Sequence, residues 1–245
     1  MPAPTTNMQP DPPLLVRSLA DLHSHTSASF DSLSRPADVA RVAAERGLTH
    51  LAITDHDRID GALAARDKAP DGLAIIVGQE VRTSAGDLIA LFVEKPIPPG
   101  MAPVDAAKMV RDQGGAVGLA HPYDRFRAGA GRPGWKDELT QLLPLLDYIE
   151  VWNSRLMVGD GNRRAADLAH ANGLAGVAVS DAHTLLEVGV SYTIFDGPLG
   201  SADELRAALS GAQLVTSHGS RLVRLWTPMA KVIQRMRGNG RVATI

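Results

Sequence analysis

From Leu19 onward, short apolar runs alternate with amphipathic stretches of helical spacing, and this alternation limits the fold more than any other feature of the chain. Leu19–Leu22, Leu48–Thr54, Leu73–Val77, Asp87–Val93, Ala116–Ala120, Tyr148–Trp152, Ala175–Val179, Ser191–Phe195 and Gln213–Thr216 read as strands. The fourth is reached through a tight turn at Ser84–Ala85–Gly86. Pro36–Arg46, Pro103–Gln113, Trp135–Leu143 and Asn162–Asn172 read as helices, with Pro36 suited to a first turn and Gly47 to a stop. Ser201 and Glu204 form a capping box that opens another helix, closed by Gly211. Strands alternating with helices favour a mostly parallel sheet, closed as a barrel or left open.

The 245 residues fit one α/β barrel, and the apolar share of 44% suffices for a full core. There are no cysteines, so disulfides and thiolate zinc sites are excluded; any metal must use His, Asp, Glu or water. A net charge of −2 argues against coating nucleic acid by bulk charge. Residues 1–18 read as a flexible leader, since the Pro-, Thr- and Asn-rich start lacks the apolar core of a signal peptide. With no apolar run of the roughly 20 residues a spanning helix needs, a cytoplasmic location is the default expectation.

The histidines carry the chemistry. His23, His25, His56, His121 and His183 each fall at or just past the C-terminal end of an expected strand, inside a short polar string. The strings are Asp21-Leu-His-Ser-His-Thr26, Thr54-Asp-His-Asp57, Ala120-His-Pro122 and Ser180-Asp-Ala-His183. Glu80 ends the apolar run before it in the same way. Strand C-termini are where the active sites of α/β barrels assemble. His23 and His25, and likewise Asp181 and His183, are two apart, so on extended backbone each pair projects to one side. Asp55 and His56 are adjacent and diverge, which favours His56 as ligand and Asp55 as a group orienting a neighbour. A single histidine at a strand end is more often a plain hydrogen-bonding residue; the repetition of the pattern is what points to a metal centre. His50, His170 and His218 lack such a context and read as structural or surface residues.

These strings, taken together and in order over roughly residues 19 to 218, resemble the polymerase-and-histidinol-phosphatase (PHP) domain family. The resemblance implies a distorted (β/α)7 TIM-like barrel, a centre of two to three divalent ions and phosphoesterase activity. It implies His23, His25, His56, Glu80, His121, Asp181 and His183 as ligands, with Asp31 as a further carboxylate. Many members carry one more histidine on the strand after the glutamate motif. This chain has Gly86-Asp-Leu-Ile-Ala-Leu91 there, so Asp87 is either a substitute oxygen ligand or simply the start of a strand.

Two cations about 3.5–4 Å apart activate a bridging water and neutralise phosphoryl oxygens during in-line displacement. A His/carboxylate set suits Mn, Fe or Zn. His183 and His121 are candidates for the leaving-group acid, with Asp55 as a further candidate catalytic group. Arg58, Arg125 and Arg155 are candidate phosphate forks, as are Arg127 and Arg132, and Asn153 a candidate substrate contact. The barrel is expected over 19–220. Residues 221–245 carry Arg221, Arg224, Lys231, Arg235, Arg237 and Arg241 and no acid, with Met229–Met236 forming a short helix. Docking of this segment on the barrel is the plainer reading; helping to hold a nucleotide or short oligonucleotide is the sharper one. A phosphoesterase acting on a nucleotide or sugar phosphate heads the functional readings. A nuclease or 3′-phosphatase on short nucleic acids, a metal-dependent amidohydrolase and a non-catalytic polymerase module follow.

Overall fold

The computed structural model describes residues 16–124, 135–219, 223 and 226–244. Residues 1–15 of the expected leader and the expectations on Arg125, Arg127, Arg132, Arg221 and Arg224 lie outside the described residues; Arg17 and Ser18, counted in that leader, instead open a strand.

Seven strands form the ring. They are β1 (Arg17–Asp21), β2 (His50–Ile53), β3 (Ala74–Thr83), β4 (Gly86–Leu91), β5 (Ala116–Leu119), β6 (Tyr148–Asn153) and β7 (Ala175–Val179), each hydrogen-bonded to the next. Two more, β8 (Tyr192–Asp196) and β9 (Gln213–Val215), continue the sheet beyond β1. The helices are α1 (Pro36–Glu45), α2 (Asp60–Arg66), α3 (Pro103–Asp112), α4 (Trp135–Leu142), α5 (Gly161–Ala171), α6 (Ala202–Ala208) and α7 (Trp226–Met236). Pro36 and Pro103 occupy first turns, where a missing N–H costs nothing. Gly47, at φ 78°, ends α1 in the left-handed region that a side chain would disfavour. Ser201 accepts from the Glu204 amide at 3.2 Å, and Glu204 reaches back to the amide of Gly200 rather than to that of Ser201.

Within the ring the sheet is mostly parallel, as expected, with one reversed strand. β4 is antiparallel to both neighbours, because β3 turns into it through a hairpin instead of crossing over through a helix. β3 is also longer than its apolar run. It continues through Gly78-Gln-Glu to Thr83, so Glu80 sits inside a strand and not at its end. The polar residues there pair with β4, in register Glu80 to Ile89. The short helix α2 escaped the sequence reading because its seven residues include a glycine and span barely two turns.

Closure of the ring happens in two stages. Near its start β1 is covered by β8, antiparallel over Arg17–Ala20. Past the strand ends, β1 and β7 meet directly at a parallel bridge between Ser24 and Ala182. There Asp181 N donates to His23 O at 3.0 Å and His25 N to Ala182 O at 2.8 Å. The seam therefore draws the two i, i+2 ligand pairs against each other.

Strand alternation sorts the apolar side chains into two layers. Leu51, Ile53, Leu88 and Ala90 face out to Val39, Ala62, Ala106 and Ala165 of the helices. Ala52, Ile89, Leu91 and Tyr148 face in, with Phe195 of β8 and Leu205 of α6 in the same inner cluster. Above this inner layer, towards the strand C-termini, the inward positions turn polar.

Candidate metal centre

Each polar position follows from the strand beneath it. On β6 Tyr148 faces the interior, so Glu150, two residues on, faces it as well and is 1% exposed. Its Oε1 accepts from His23 Nδ1 at 2.6 Å, and its Oε2 accepts from the backbone amide of His121 at 3.0 Å. Because a carboxylate can only accept, the first bond fixes the His23 tautomer with Nε2 turned inward. That Nε2 stands 3.0 Å from His25 Nε2, 3.3 Å from Glu80 Oε2 and 3.6 Å from Asp181 Oδ1. His25 Nε2 lies 3.3 Å from both of the same carboxylates.

Around this point the other groups gather. His56 presents Nδ1 to Glu80 Oε2 at 3.1 Å and Nε2 to Asp31 Oδ2 at 3.3 Å. His183 Nε2 approaches the same Asp31 oxygen at 3.3 Å, while its Nδ1 donates to the Asp181 carbonyl at 2.9 Å. His121 Nε2 meets Glu80 Oε1 at 3.0 Å. Glu80 is thus central to the set, reached from β2, β5 and the β1 loop. Asp57, His121 and Asp181 hold positive φ values of 59°, 22° and 52°. Such backbone is uncommon outside glycine and clusters at functional sites, where surrounding contacts hold it in place.

Electrostatics decide what the set fits. Asp31, Glu80, Glu150 and Asp181 are all buried, at 3% exposure or less. Burying carboxylates costs several kcal/mol each unless positive charge compensates them. Burial also opposes charge on His23, yet Glu150, Asp181 and Glu80 together raise its pKa well above the ordinary value. His25 goes the other way, its pKa lowered by burial and by the adjacent His183 ring. Burial works against the Asp31 carboxylate too, but His183 and His56 hold it well below the usual range. His25 Nδ1 is buried without a hydrogen-bond partner among the described residues. Nitrogen and oxygen donors in excess of negative charge match divalent cations. Four overlapping groups have the required spacing: His25–Asp31–His56–His183, His23–His25–Asp181, His23–His121–Glu150 and Glu80–Asp87–His121.

The eight residues named from the sequence as ligands all converge here. Glu150, not singled out as a ligand from the sequence, stands beside His23 and His121, and Asp87, left open between two readings, stands beside Glu80 and His121. Of the residues named around them, Asp55 stands in none of the four groups and orients a neighbour instead: its oxygens accept from Thr26 N at 2.6 Å and Thr26 Oγ1 at 2.7 Å. Burial raises its pKa to about 6. Arg58 is engaged by Asp60, the Ala28 carbonyl and Asn239. Arg155 is buried against Glu187 at 3.3 Å and donates to Thr227 at 2.8 Å. Asn153 contacts protein rather than solvent. Its Nδ2 donates to Asp181 Oδ2 at 3.1 Å and Glu150 Oε2 at 3.2 Å, because a register shift between Glu150 and Trp152 turns it inward.

A cleft of about 740 Å³ opens beside His183. Leu33, Leu185 and Trp226 form its apolar wall, and Arg35 and Arg237 bring positive charge to it. Its size suits a small-molecule ligand.

A closed α/β ring with buried histidines and carboxylates gathered at one end defines a metal-dependent hydrolase. The chain belongs to the PHP domain family: the PHP domain model matches residues 21–125 and the PHP-associated model residues 159–214. An uncharacterized protein of Methanocaldococcus jannaschii is 32% identical over 146 residues, covering 55% of this chain and 81% of that protein. Among solved structures, a two-domain protein from Bacteroides vulgatus containing a predicted PHP-like metal-dependent phosphoesterase superposes with a TM-score of 0.69. It is 21% identical over 92% of this chain and 74% of that one. Endonuclease Q, solved with a 27-mer duplex bearing an abasic lesion, superposes with a TM-score of 0.61 at 17% identity, over 80% of this chain and 57% of that chain. No helix among the described residues is long and apolar enough to cross a membrane.

Proposed function

We propose that this chain is a metal-dependent phosphoesterase acting on a small phosphate ester, a nucleotide or a sugar phosphate. The observation that supports this most is the convergence of five histidines with Asp31, Glu80, Glu150 and Asp181 at one end of the barrel. His23, His25, Asp31, His56, Glu80, His121, Asp181 and His183 would hold two to three divalent ions (Mn, Fe or Zn), with Asp87 as an additional oxygen donor. When bound, such ions supply an activated water nucleophile at neutral pH and neutralise developing charge on the phosphoryl oxygens.

The protein's own groups do the positioning. Glu150 fixes the His23 tautomer, and the Asp181 carbonyl fixes that of His183. Asn153 ties the Glu150 and Asp181 carboxylates together. With Arg58 and Arg155 engaged elsewhere and Arg35 paired with Asp38 at 2.7 Å on the cleft wall, Arg237 is the cation of that lining best placed to meet an anionic substrate. Of the two imidazoles considered as leaving-group acids, His183 lines the cleft, whereas His121 lies against Glu80.

A nuclease or 3′-phosphatase on short nucleic acids is the second reading. It is favoured by the likeness to endonuclease Q and by Lys231, Arg235, Arg237 and Arg241 on the segment that walls the cleft. One screen separates the two. Purified protein is assayed on nucleotides, nucleotide bisphosphates, sugar phosphates and short oligonucleotides, with Mn and with chelator. Turnover of a monomeric ester that needs Mn and vanishes in His25→Ala is expected. Turnover indifferent to chelator and to His25→Ala would overturn the proposal, and turnover confined to oligonucleotides would favour the second reading.

A further inference from the structure

Asp31 is the one proposed ligand that does not stand on or directly beyond a strand. It lies in the loop Ser27–Ser34, which Ser27 N closes by donating to Ser34 O at 2.7 Å. Eight residues of that kind, with several small polar side chains, have little packing of their own to fix a carboxylate. Ser32 Oγ ties the loop to the seam by donating to His183 O at 2.9 Å, and further fixing comes from the far end of the chain. Gln234 of α7 is 2% exposed, although the helix around it is largely solvent-facing. Its Nε2 lies 2.8 Å from Ser27 O, 3.0 Å from Ser29 O and 2.7 Å from Ser32 O. An amide has two protons, so two of these bonds are full and the third is shared.

Asn239 repeats the device, with Nδ2 at 3.1 Å from both Ser27 O and Ala28 O, while its Oδ1 accepts from Arg58 at 2.8 Å. Phe30 is covered by Arg241 at 4.7 Å and Lys231 at 5.4 Å, and lies 5.0 Å from the His56 ring. Ser29 Oγ then donates to Asp31 Oδ1 at 2.7 Å, leaving Oδ2 towards His56 and His183. Loop carbonyls turned inward on a buried amide form a specific lock; a merely docked helix would need only apolar contact.

We propose that Gln234, assisted by Asn239, is a positioning residue for the metal centre: it holds the Ser27–Ser34 loop so that the Asp31 carboxylate completes the His25–Asp31–His56–His183 group. The amide touches no substrate and no reacting atom. It acts through Asp31, and it makes the affinity of one ion depend on the C-terminal segment. This rests on the metal-centre reading above.

The test measures binding, not turnover. Metal-stripped full-length protein is dialysed against graded free Mn, and bound metal per chain is counted. Gln234→Ala should weaken one class of site by about 10–100-fold, the usual cost of losing a group that orients a ligand. The other class should be unmoved. In an Asp31→Ala background the same substitution should have no further effect on binding, which a general loss of stability would not reproduce. Asn239→Ala should give a smaller shift in the same class, and serves if Gln234→Ala does not fold. Equal weakening of every site, or an undiminished effect without Asp31, would overturn the role of Gln234. Wild-type protein that binds no metal would sink the metal-centre reading itself.

Discussion

The inner and outer sides of the centre are built by different means. On the inner side, His23, Asp181 and Glu150 stand on or directly beyond β1, β7 and β6, and are fixed by strand pairing and by one another. On the outer side, Asp31 hangs from a loop held by a helix some two hundred residues later. The first arrangement is local to the sheet and rigid for the same reason the sheet is. The second borrows its rigidity, so it can be loosened without disturbing a single strand. On the proposal above, one site would be prepared by the sheet itself and another would need the last part of the chain in place.

The largest effect expected from this contrast is at Asp181, which lies near both His23 and His25 and shares their group. Removing its carboxylate should remove the inner ion's anchor. Several kcal/mol of transition-state stabilisation correspond to about 10³-fold in rate. Asp181→Ala should therefore lose turnover by about that factor or more, with a circular dichroism spectrum like that of the wild type. Substantial activity in that variant would show that the inner side is not the indispensable one and reverse the comparison.

The two sides also differ in how far the sequence betrays them. Ligand chemistry forces residue types, and strand geometry forces the spacing of two, so His23, His25, Asp181 and His183 stand out of the text. Glu150 does not, because its neighbours mislead. Period-two alternation places Trp152 on the same face as Glu150 and turns Asn153 away, whereas the register shift between Glu150 and Trp152 reverses that. Nothing in the letters marks a bulge. Glu80 was found for a partly wrong reason: Gly78-Gln-Glu looks like the end of a strand, but pairing with β4 carries the strand on to Thr83. Arg58 and Arg155 turn to other partners for a third reason. Which acid or carbonyl neutralises Arg58 or Arg155 is a matter of tertiary contact, and Asp60, Asn239 and Glu187 answered it. Gln234 was legible only as one polar position on an amphipathic helix.

An intermediate effect is expected at Glu150, and it sharpens the contrast from the other direction. Glu150→Gln keeps the shape but replaces one acceptor oxygen with an amide, weakening the hold on His23 Nδ1 and the His121 amide. Metal affinity should fall by about 10–100-fold, as for loss of other groups that orient ligands. The loss should appear in the site class that Gln234→Ala leaves alone. If both substitutions weaken the same class, the inner and outer sides are one unit, and the distinction drawn between strand-held and loop-held ligands fails.

The smallest effect concerns the joint where one side passes into the other. Thr26 follows His25 and precedes the Ser27–Ser34 loop, and Asp55 pins it by accepting from both its amide and its hydroxyl. Gly61, in the first turn of α2, makes room for that pair. A Cβ there would fall inside van der Waals contact with Asp55 Oδ2, Thr26 Oγ1 and Ala28 Cβ. Gly61→Ala must therefore push the carboxylate or the helix aside, and overpacking of this sort costs about 1–3 kcal/mol. The loss should be seen as a lower denaturation midpoint of the metal-free protein, with an unchanged slope. Because the strands that carry His23 and Asp181 are untouched, the inner ion should bind nearly as before. The outer ion, one loop away from the strained joint, should bind slightly less well. A midpoint that does not move would mean that Asp55 and Thr26 yield easily. Asp31 would then owe its place to Ser32, Gln234 and Asn239 rather than to the joint, and the dependence of the outer side on the end of the chain would be stronger.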